Sequence, residues 1–140
     1  MSSRILTELV EGQEAIDEFR VTDQDMEAFA TLSGDRNPLH LESRAATERG
    51  FQHPIVYGGL LVARVSKMIG MHLPGPSSVW TALQIFFHRP LYVGEHAKLV
   101  ARVASVHPAT HTAELKFRIT TSDGELVAKG SIGVFLGHAG

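Results

Sequence analysis

Cysteine is absent from the 140-residue chain, so a disulfide framework and a thiolate nucleophile are both excluded. A reducing compartment agrees with that absence. No stretch reaches the roughly 18 consecutive apolar residues that a membrane span requires, and the first residues contain no apolar run of signal-peptide length. We therefore expect a soluble, cytoplasmic protein with no membrane partner.

An excess of either charge is missing as well. Lys and Arg number 13 against 15 Asp and Glu, which leaves a formal net charge of -2. Proteins that attract nucleic acid electrostatically carry a basic surplus, so no nucleic-acid partner is expected. With 44% hydrophobic residues the chain can bury a sizeable core. We predict a single domain over residues 1–140, with residues 1–14 as a loose N-terminal arm.

The pattern of apolar residues predicts an α+β order of elements: one strand, then helices, then four strands. The first strand is predicted over residues 15–21. Thr22, followed by Asp25 at the third helical position, is typical of a capping box, and the helix it begins should end at Gly34. A second short helix is expected to end at Gly50.

A longer helix is predicted from Gly58 to about Met71, and it is apolar around most of its circumference, which is typical of a buried helix. Segments of period two follow and predict strands over residues 79–87, 97–106, 112–121 and 126–136. An antiparallel meander curved around the long helix would cover its apolar sides. Because one chain would leave a sheet edge open, we expect a homodimer that joins two edge strands.

Two short segments contain the residue types of a catalytic site. Residues 33–40 (SGDRNPLH) place a carboxylate and an imidazole five residues apart. Pro38 should forbid a regular helix between them, so the chain must loop to bring Asp35 and His40 together. Residues 57–61 (YGGLL) begin the long helix, where unpaired N–H groups and the positive dipole end suit a developing oxyanion. An acid–base pair beside an oxyanion hole is a catalytic arrangement.

Both segments also have simpler interpretations. Asp, Asn and Pro form turns in their own right, so residues 35–38 could be an ordinary loop with His40 at the surface. The paired glycines of the second segment mark turns generally. His107 and His111 are four residues apart, but they lie across a predicted hairpin and no third ligand is apparent, so no metal site is predicted.

Residues 29–40 (FATLSGDRNPLH) resemble the signature of the MaoC-like, (R)-specific enoyl-CoA hydratases. The similarity continues through residues 54–58 (PIVYG), 73–76 (LPGP) and 89–95 (RPLYVGE), and it covers roughly residues 19–136. The resemblance implies a hot-dog fold, in which a curved antiparallel sheet wraps a long central helix, usually in a dimer. It also implies hydration of trans-2-enoyl thioesters of coenzyme A to the (R)-3-hydroxyacyl product. That chemistry needs no metal or redox cofactor, coenzyme A being part of the substrate.

The resemblance also implies roles for individual residues. Asp35 and His40 match the catalytic pair that activates water, and Asn37 matches an asparagine that supports the site. Gly58 matches the backbone N–H donor to the thioester carbonyl. Ser66, two turns into the helix, matches a serine that some members place near the site.

The chain departs from the family pattern at two positions that flank Gly58. Tyr57 stands where a histidine is common, and Gly59 stands where a larger apolar residue is common. Tyr57 is either a packing residue or a substrate contact at the mouth of the helix. The two departures affect the shape of the pocket and therefore the acyl chain that fits it.

Three other functions stay open. A 3-hydroxyacyl-carrier-protein dehydratase would run the same chemistry in reverse, and a basic patch around the pocket mouth would favour it. A hot-dog acyl-CoA thioesterase is the second, although the spacing of Asp35 and His40 argues against it. A non-catalytic acyl-thioester binding module is the third. The basic residues that are candidates for the coenzyme A phosphates are Arg64, Lys67, Arg89 and Lys98.

Overall fold

The computed structural model describes residues 6–138, which form a five-stranded antiparallel sheet with helices packed on one face. The strands are β1 (Glu14–Arg20), β2 (Val79–Phe87), β3 (His96–His107), β4 (Thr112–Thr121) and β5 (Leu126–Phe135). The helices are α1 (Asp23–Ser33), α2 (Pro38–Leu41), α3 (Ser43–Glu48) and α4 (Gly58–Lys67). The predicted order of strand, helices and four strands is confirmed. No helix within residues 6–138 is long and apolar enough to cross a membrane.

The order of strands in the sheet is β1-β3-β4-β5-β2, which differs from the predicted meander at one strand. β2 pairs with β5 at the far edge and not with β3, the next strand in sequence. The connection over residues 88–95 is held to the helical layer by the bond from Val56 N–H to Leu91 O at 2.8 Å and by a bridge between Ile55 and Tyr92. Because the connection is fixed there, it cannot turn back as a hairpin.

Alternation of side chains along the central strands builds the core. In β4, Leu115, Phe117 and Ile119 are fully buried, while the charged residues between them are exposed. The strand period of two therefore separates a core face from a solvent face, as the sequence predicted. The buried side chains of α4 belong to the same core as the inward faces of β3, β4 and β5.

Helix α4 has the predicted start and length, since a π-helical turn over Met68–His72 continues it. The buried part of its circumference is smaller than predicted. Leu60, Leu61 and Val65 are buried, but Gly59 and Ser66 are exposed. One side of α4 packs on the sheet, and the opposite side remains open in the single chain.

The expected N-terminal arm is not loose over the residues that the structure describes. Leu6 and Leu9 are both buried in the core. The Gly12 N–H donates to Val103 O at 2.8 Å, and the Val103 N–H donates to Gln13 O at 2.9 Å, so the segment extends the pairing of β1 with β3. The prediction is wrong for residues 6–14 because two leucines find apolar cover there, while residues 1–5 lie outside the described residues.

The ends of α1 follow the predicted chemistry. Thr22 Oγ1 accepts from the Asp25 N–H at 3.1 Å, and Asp25 Oδ2 accepts from the Thr22 N–H at 2.9 Å, which completes the capping box. Gly34 ends the helix with φ at 79°, a left-handed conformation that favours glycine, and its N–H donates to Ala30 O. The end of α1 thereby fixes where the segment from Asp35 to His40 begins.

Candidate active site

Asp35 is exposed, yet its backbone and side chain are both held within the loop after α1. Its N–H donates to Ser33 Oγ at 3.0 Å, and its Oδ1 accepts from the Asn37 N–H at 3.0 Å. Asn37 Oδ1 in turn accepts from the Leu39 N–H at 3.1 Å and caps the next helix. These short-range bonds are typical of Asp and Asn at turns and helix starts, and they restrain the position of the Asp35 carboxylate.

No regular helix runs from Asp35 to His40, as predicted, but Pro38 begins the short helix α2, so the loop between them covers only residues 35–37. At the first helical position the missing N–H of proline is no loss, because that group has no partner inside a helix. His40 lies in the single turn that Pro38 begins. The spacing of five residues is thus bridged by a short loop followed by one capped helical turn.

His40 is half-buried, and one of its ring nitrogens has a fixed partner. Nδ1 lies 2.7 Å from the backbone carbonyl oxygen of Ile55. Because a carbonyl oxygen can only accept, Nδ1 must bear the proton, which leaves the lone pair of the neutral imidazole on Nε2. His40 is therefore held in the tautomer that can accept a proton at Nε2.

Tyr57 contacts both members of the predicted pair. Its side chain is 2% exposed, and its hydroxyl donates to the backbone oxygen of Asp35 at 2.6 Å. Its ring stacks on the His40 ring, with centroids 4.2 Å apart and an interplanar angle of 27°. Burial, and after it the charge of Asp35, raises the pKa of Tyr57, so the phenol is a neutral donor. Within residues 6–138 no hydrogen bond joins Asp35 directly to His40.

The first residue of α4, Gly58, lines a cavity. Tyr57 O accepts from the N–H groups of Leu60 and Leu61, whereas no acceptor in the described part of the chain takes the Gly58 N–H. Gly58 and His40 both line a cavity of about 330 Å³, whose remaining walls are mostly apolar: Phe51, Ile55, Val56, Leu61, Phe87, His88, Arg89, Pro90 and Leu91. A proton acceptor and an unpaired backbone donor thus lie on one cavity.

Aromatic rings lie close beside the two glycines at the start of α4. A Cβ on Gly58 would lie 3.1 Å from Phe87 Cζ, and a Cβ on Gly59 would lie 2.6 Å from Phe29 Cζ. Phe29 also packs on Tyr57, with ring centroids 4.7 Å apart. The departure from the family pattern at Gly59 therefore makes room for Phe29.

Arg36, between Asp35 and Asn37, points away from the cavity. Its guanidinium donates to both carboxylate oxygens of Glu27, at 2.8 and 3.3 Å, and to Thr31 Oγ1 at 3.2 Å. The hydrogen bond from Arg36 and then its charge lower the pKa of Glu27, and Glu27 raises the pKa of Arg36 in the same order. This pair ties the site loop to α1.

The four basic candidates for the coenzyme A phosphates lie in different places. Arg64 and Lys67 both approach Asp17 Oδ2, at 3.1 and 3.6 Å, and line a second cavity. Arg89 lines the cavity of His40, and it pairs with Glu125 at 2.8 Å and Glu95 at 3.4 Å. Lys98 lies on β3, opposite Glu18 of β1.

Some of the predicted site residues come together and some do not. His40 and Gly58 share a cavity, and Tyr57 links His40 to Asp35. Ser66 is exposed on α4 and does not line that cavity.

Sequence reasoning missed three residues that shape the site. Ile55 acts through its backbone carbonyl, so its side chain gave no signal. Phe87 lines the cavity from the end of β2, and Phe29 packs behind Tyr57. The absence of charge in β2 was the available sign that Phe87 at its end could line an apolar cavity.

Residues 6–123 match a family model described as a MaoC like domain. The chain is 35% identical over 119 residues to the (R)-specific enoyl-CoA hydratase of Aeromonas caviae. The aligned residues are 85% of this chain and 89% of that relative. A solved structure of the A. caviae hydratase matches with a TM-score of 0.89, covering 93% of this chain and 98% of that one. The predicted arrangement of a helix on a curved antiparallel sheet, the hot-dog fold, is therefore confirmed.

Two further relatives show the range of the similarity. The unliganded R-hydratase structure from Pseudomonas aeruginosa matches with a TM-score of 0.89 at 29% identity, covering 96% of this chain and 86% of that one. The mitochondrial 3-hydroxyacyl-[acyl-carrier-protein] dehydratase of Arabidopsis thaliana is 28% identical over 94 residues, which is 67% of this chain and 55% of that relative.

Proposed function

The chain belongs to the MaoC-like domain family, and from that membership we propose that it is a hydro-lyase acting on trans-2-enoyl-CoA. The reaction adds water across the double bond to give (R)-3-hydroxyacyl-CoA, and it is reversible. The observation that supports this most directly is the cavity of about 330 Å³ that both His40 and Gly58 line. A site for adding water to an enoyl thioester needs a proton acceptor and an oxyanion donor within one small space.

The pair Asp35 and His40 would activate the water. Nε2 of His40 takes a proton from the water as its oxygen bonds to C3 of the substrate, and the pair then returns a proton to C2. Asp35 would hold the water from the other side. General acid–base catalysis of this kind contributes roughly 10² to 10⁴ in rate.

The Gly58 N–H would stabilise the negative charge that builds on the thioester oxygen. It lies at the positive end of α4, and its lack of an internal acceptor leaves it available. Loss of one such donor typically costs about 10² to 10³ in rate. The proposed reaction uses side chains and a backbone amide and calls for no cofactor beyond the coenzyme A of the substrate.

The test follows the ultraviolet absorbance of crotonyl-CoA and of a medium-chain trans-2-enoyl-CoA in the presence of the purified chain. We expect loss of the enoyl signal without free thiol, abolished in Asp35→Asn and His40→Ala and retained in the control His138→Ala. His138 is exposed near the C-terminus and away from the site. Release of free thiol would make the protein a thioesterase, and binding without turnover would make it a binding module.

A 3-hydroxyacyl-carrier-protein dehydratase is the second candidate, favoured by the similarity to the plant dehydratase. The expected basic patch that would favour a carrier protein is not provided by Arg89, because Arg89 is paired with Glu95 and Glu125. The two substrates are compared directly by kcat/KM for the same acyl chain on coenzyme A and on a carrier protein. A higher value for the carrier-protein substrate would reverse the assignment.

We also propose a homodimer formed along β2. This edge strand of nine residues has no charged side chain, and it exposes Val79 (59%), Leu83 (40%), Phe86 (53%) and Phe87 (52%). The other edge strand, β1, has four charged residues among seven, a composition that discourages pairing between molecules. Two copies of β2 side by side would cover this apolar strand and join two sheets into one.

The remaining expectations from the sequence stay predictions. These are the supporting roles of Asn37 and Ser66, the single domain over residues 1–140, and the cytoplasmic location. Asn37 as the cap of α2 is compatible with its supporting role, because it sets the helical turn that holds His40.

A further inference from the structure

Two contacts fix the orientation of the His40 imidazole and therefore the direction of its Nε2 lone pair. Its hydrogen bond to Ile55 O fixes Nδ1 but leaves the ring free to tilt about that bond. The Tyr57 ring lies against one face of the imidazole at a centroid distance of 4.2 Å, which blocks the tilt. Together the two contacts define both the tautomer and the plane of the ring.

The loop that holds Asp35 also depends on Tyr57. The other hydrogen bonds of Asp35 reach only Ser33 and Asn37, two residues away in either direction. Tyr57 comes from a different part of the fold, and its hydroxyl donates a hydrogen bond to the backbone oxygen of Asp35 at 2.6 Å. This bond fixes the backbone of Asp35 relative to the start of α4, in addition to the bonds within its own loop.

Tyr57 itself has little freedom. Its side chain is 2% exposed, and Phe29 packs on it at 4.7 Å in the space that Gly59 leaves open. It is also the residue immediately before Gly58, at the N-cap of α4. A single rigid residue therefore contacts the base, contacts the loop of the acid, and precedes the open amide.

We propose that Tyr57 is a positioning residue that sets the geometry of Asp35 and His40 relative to the Gly58 amide. This inference rests on the proposed function, and it replaces the two roles expected from the sequence, packing or substrate contact. The ring holds the imidazole plane and the hydroxyl holds the Asp35 backbone. A histidine, common at this position in the family, has no hydroxyl beyond its ring, so the phenolic anchor is a property of this chain.

The kinetic test uses three variants that separate the two contacts. Tyr57→Phe keeps the ring and removes the hydroxyl, and its kcat should fall about 3- to 10-fold, the effect of losing one neutral hydrogen bond. Tyr57→Leu removes the stack as well, and its kcat should fall roughly 100-fold, as small misplacements of catalytic groups do. KM should stay within about twofold in both, because Tyr57 does not line the cavity.

Tyr92→Phe is the matched control, since Tyr92 is the other tyrosine of the chain and, within residues 6–138, its hydroxyl accepts one hydrogen bond, from the Gln52 N–H at 3.4 Å. It should keep the wild-type kcat. Unchanged kcat in both Tyr57 variants would overturn the proposal. So would a loss of kcat in step with a rise in KM and a lower melting temperature, which is the result expected of a purely structural residue.

A second measurement is independent of turnover. Long-range ¹H–¹⁵N spectra of the histidine rings, with the His40 signals assigned from His40→Gln, report the tautomer and the ring-current shift from Tyr57. We expect the Nδ1–H form with upfield-shifted ring protons in the wild type, and the same tautomer without that shift in Tyr57→Leu, because Ile55 O still holds Nδ1. If the wild type shows no hydratase activity, the proposed function fails and these spectra still decide the inference, because unchanged His40 signals in Tyr57→Leu would overturn it.

Discussion

Phe29 occupies the space that a side chain on residue 59 would need, since its Cζ lies 2.6 Å from the position of a Cβ on Gly59. Real Cβ atoms do not approach a neighbour that closely, so one of the two groups would have to move. Phe29 is also the ring that packs behind Tyr57. The position of Phe29 therefore depends on a glycine at residue 59. Phe29 packs on Tyr57, and Tyr57 stacks on His40, so the glycine also affects the packing around His40.

Gly59→Ala should displace the Phe29 ring and lower the free energy of unfolding by about 1–3 kcal/mol, the usual cost of overpacking. Urea unfolding measures this loss. Gly70→Ala is the control, because a Cβ on Gly70 meets nothing within 4 Å and Gly70 does not have a positive φ. In the double variant with Phe29→Leu the loss should be smaller than the sum of the single losses. Equal stability of the Gly59 and Gly70 variants would contradict the contact.

The pair of Arg36 and Glu27 predicts a titration with a definite direction. Glu27 has a lowered pKa because Arg36 donates to it and is positively charged. A lowered pKa means that the ion pair persists above the ordinary carboxyl pKa and is lost as the pH falls through the lowered pKa of the folded chain. NMR titration of the Glu27 carboxyl should show the pKa returning to its ordinary range in Arg36→Met. It should stay lowered in the control Arg49→Met, and a lowered value in both variants would assign the effect to another group.

The elements that the sequence predicted well are those determined by neighbouring residues. The capping box of Thr22, the end of α1 at Gly34 and the alternation along β4 all depend on local backbone chemistry or on the period of apolar residues. The position of β2 in the sheet depends on hydrogen bonds between residues far apart in sequence. For that reason the periodicity gave the strand and its bounds but not its partner.

The site divides in the same way. Asp35 and His40 could be chosen from the sequence because their side chains have the chemistry that the reaction needs. The contact of Tyr57 with Asp35 spans 22 residues, and the partner of His40 is a backbone oxygen, which any residue at position 55 would supply. The helical turn that Pro38 begins was not foreseen, because a proline that breaks a helix interior is also favoured at a helix start.

Leu83→Lys should convert the proposed dimer into a monomer, because a charge placed on the apolar edge strand would have to be buried against its copy. Leu83 is 40% exposed in the single chain, so the monomer itself should fold normally. Sedimentation equilibrium gives the mass, which should be twice 15.3 kDa for the wild type. Ile16→Lys is the control, since Ile16 is 58% exposed on the other edge strand, β1.

The activity of the same variant tests whether the dimer completes the site. Phe87 lines the cavity of His40 and belongs to β2, so a partner strand along β2 would also border that cavity. We expect the monomeric Leu83→Lys variant to lose most of its kcat/KM, while Ile16→Lys retains it. A wild-type chain that sediments as a monomer would contradict the proposed dimer, and a change of mass caused by Ile16→Lys instead would place the interface on β1.

Alkaline unfolding tests the burial of Tyr57. Its pKa is raised in the folded chain, because burial disfavours the phenolate and the charge of Asp35 adds to that effect. Below the ordinary tyrosine pKa of about 10 the phenol is protonated in both states, so its contribution to stability is constant there. Above that pH the unfolded chain releases the proton first, and stability is lost as the pH rises toward the pKa of the folded chain.

The free energy of unfolding should therefore fall more steeply between about pH 9.5 and 11 in the wild type and in Tyr92→Phe than in Tyr57→Phe. Parallel curves for all three proteins would show that Tyr57 ionises freely and that its hydroxyl is not held by Asp35.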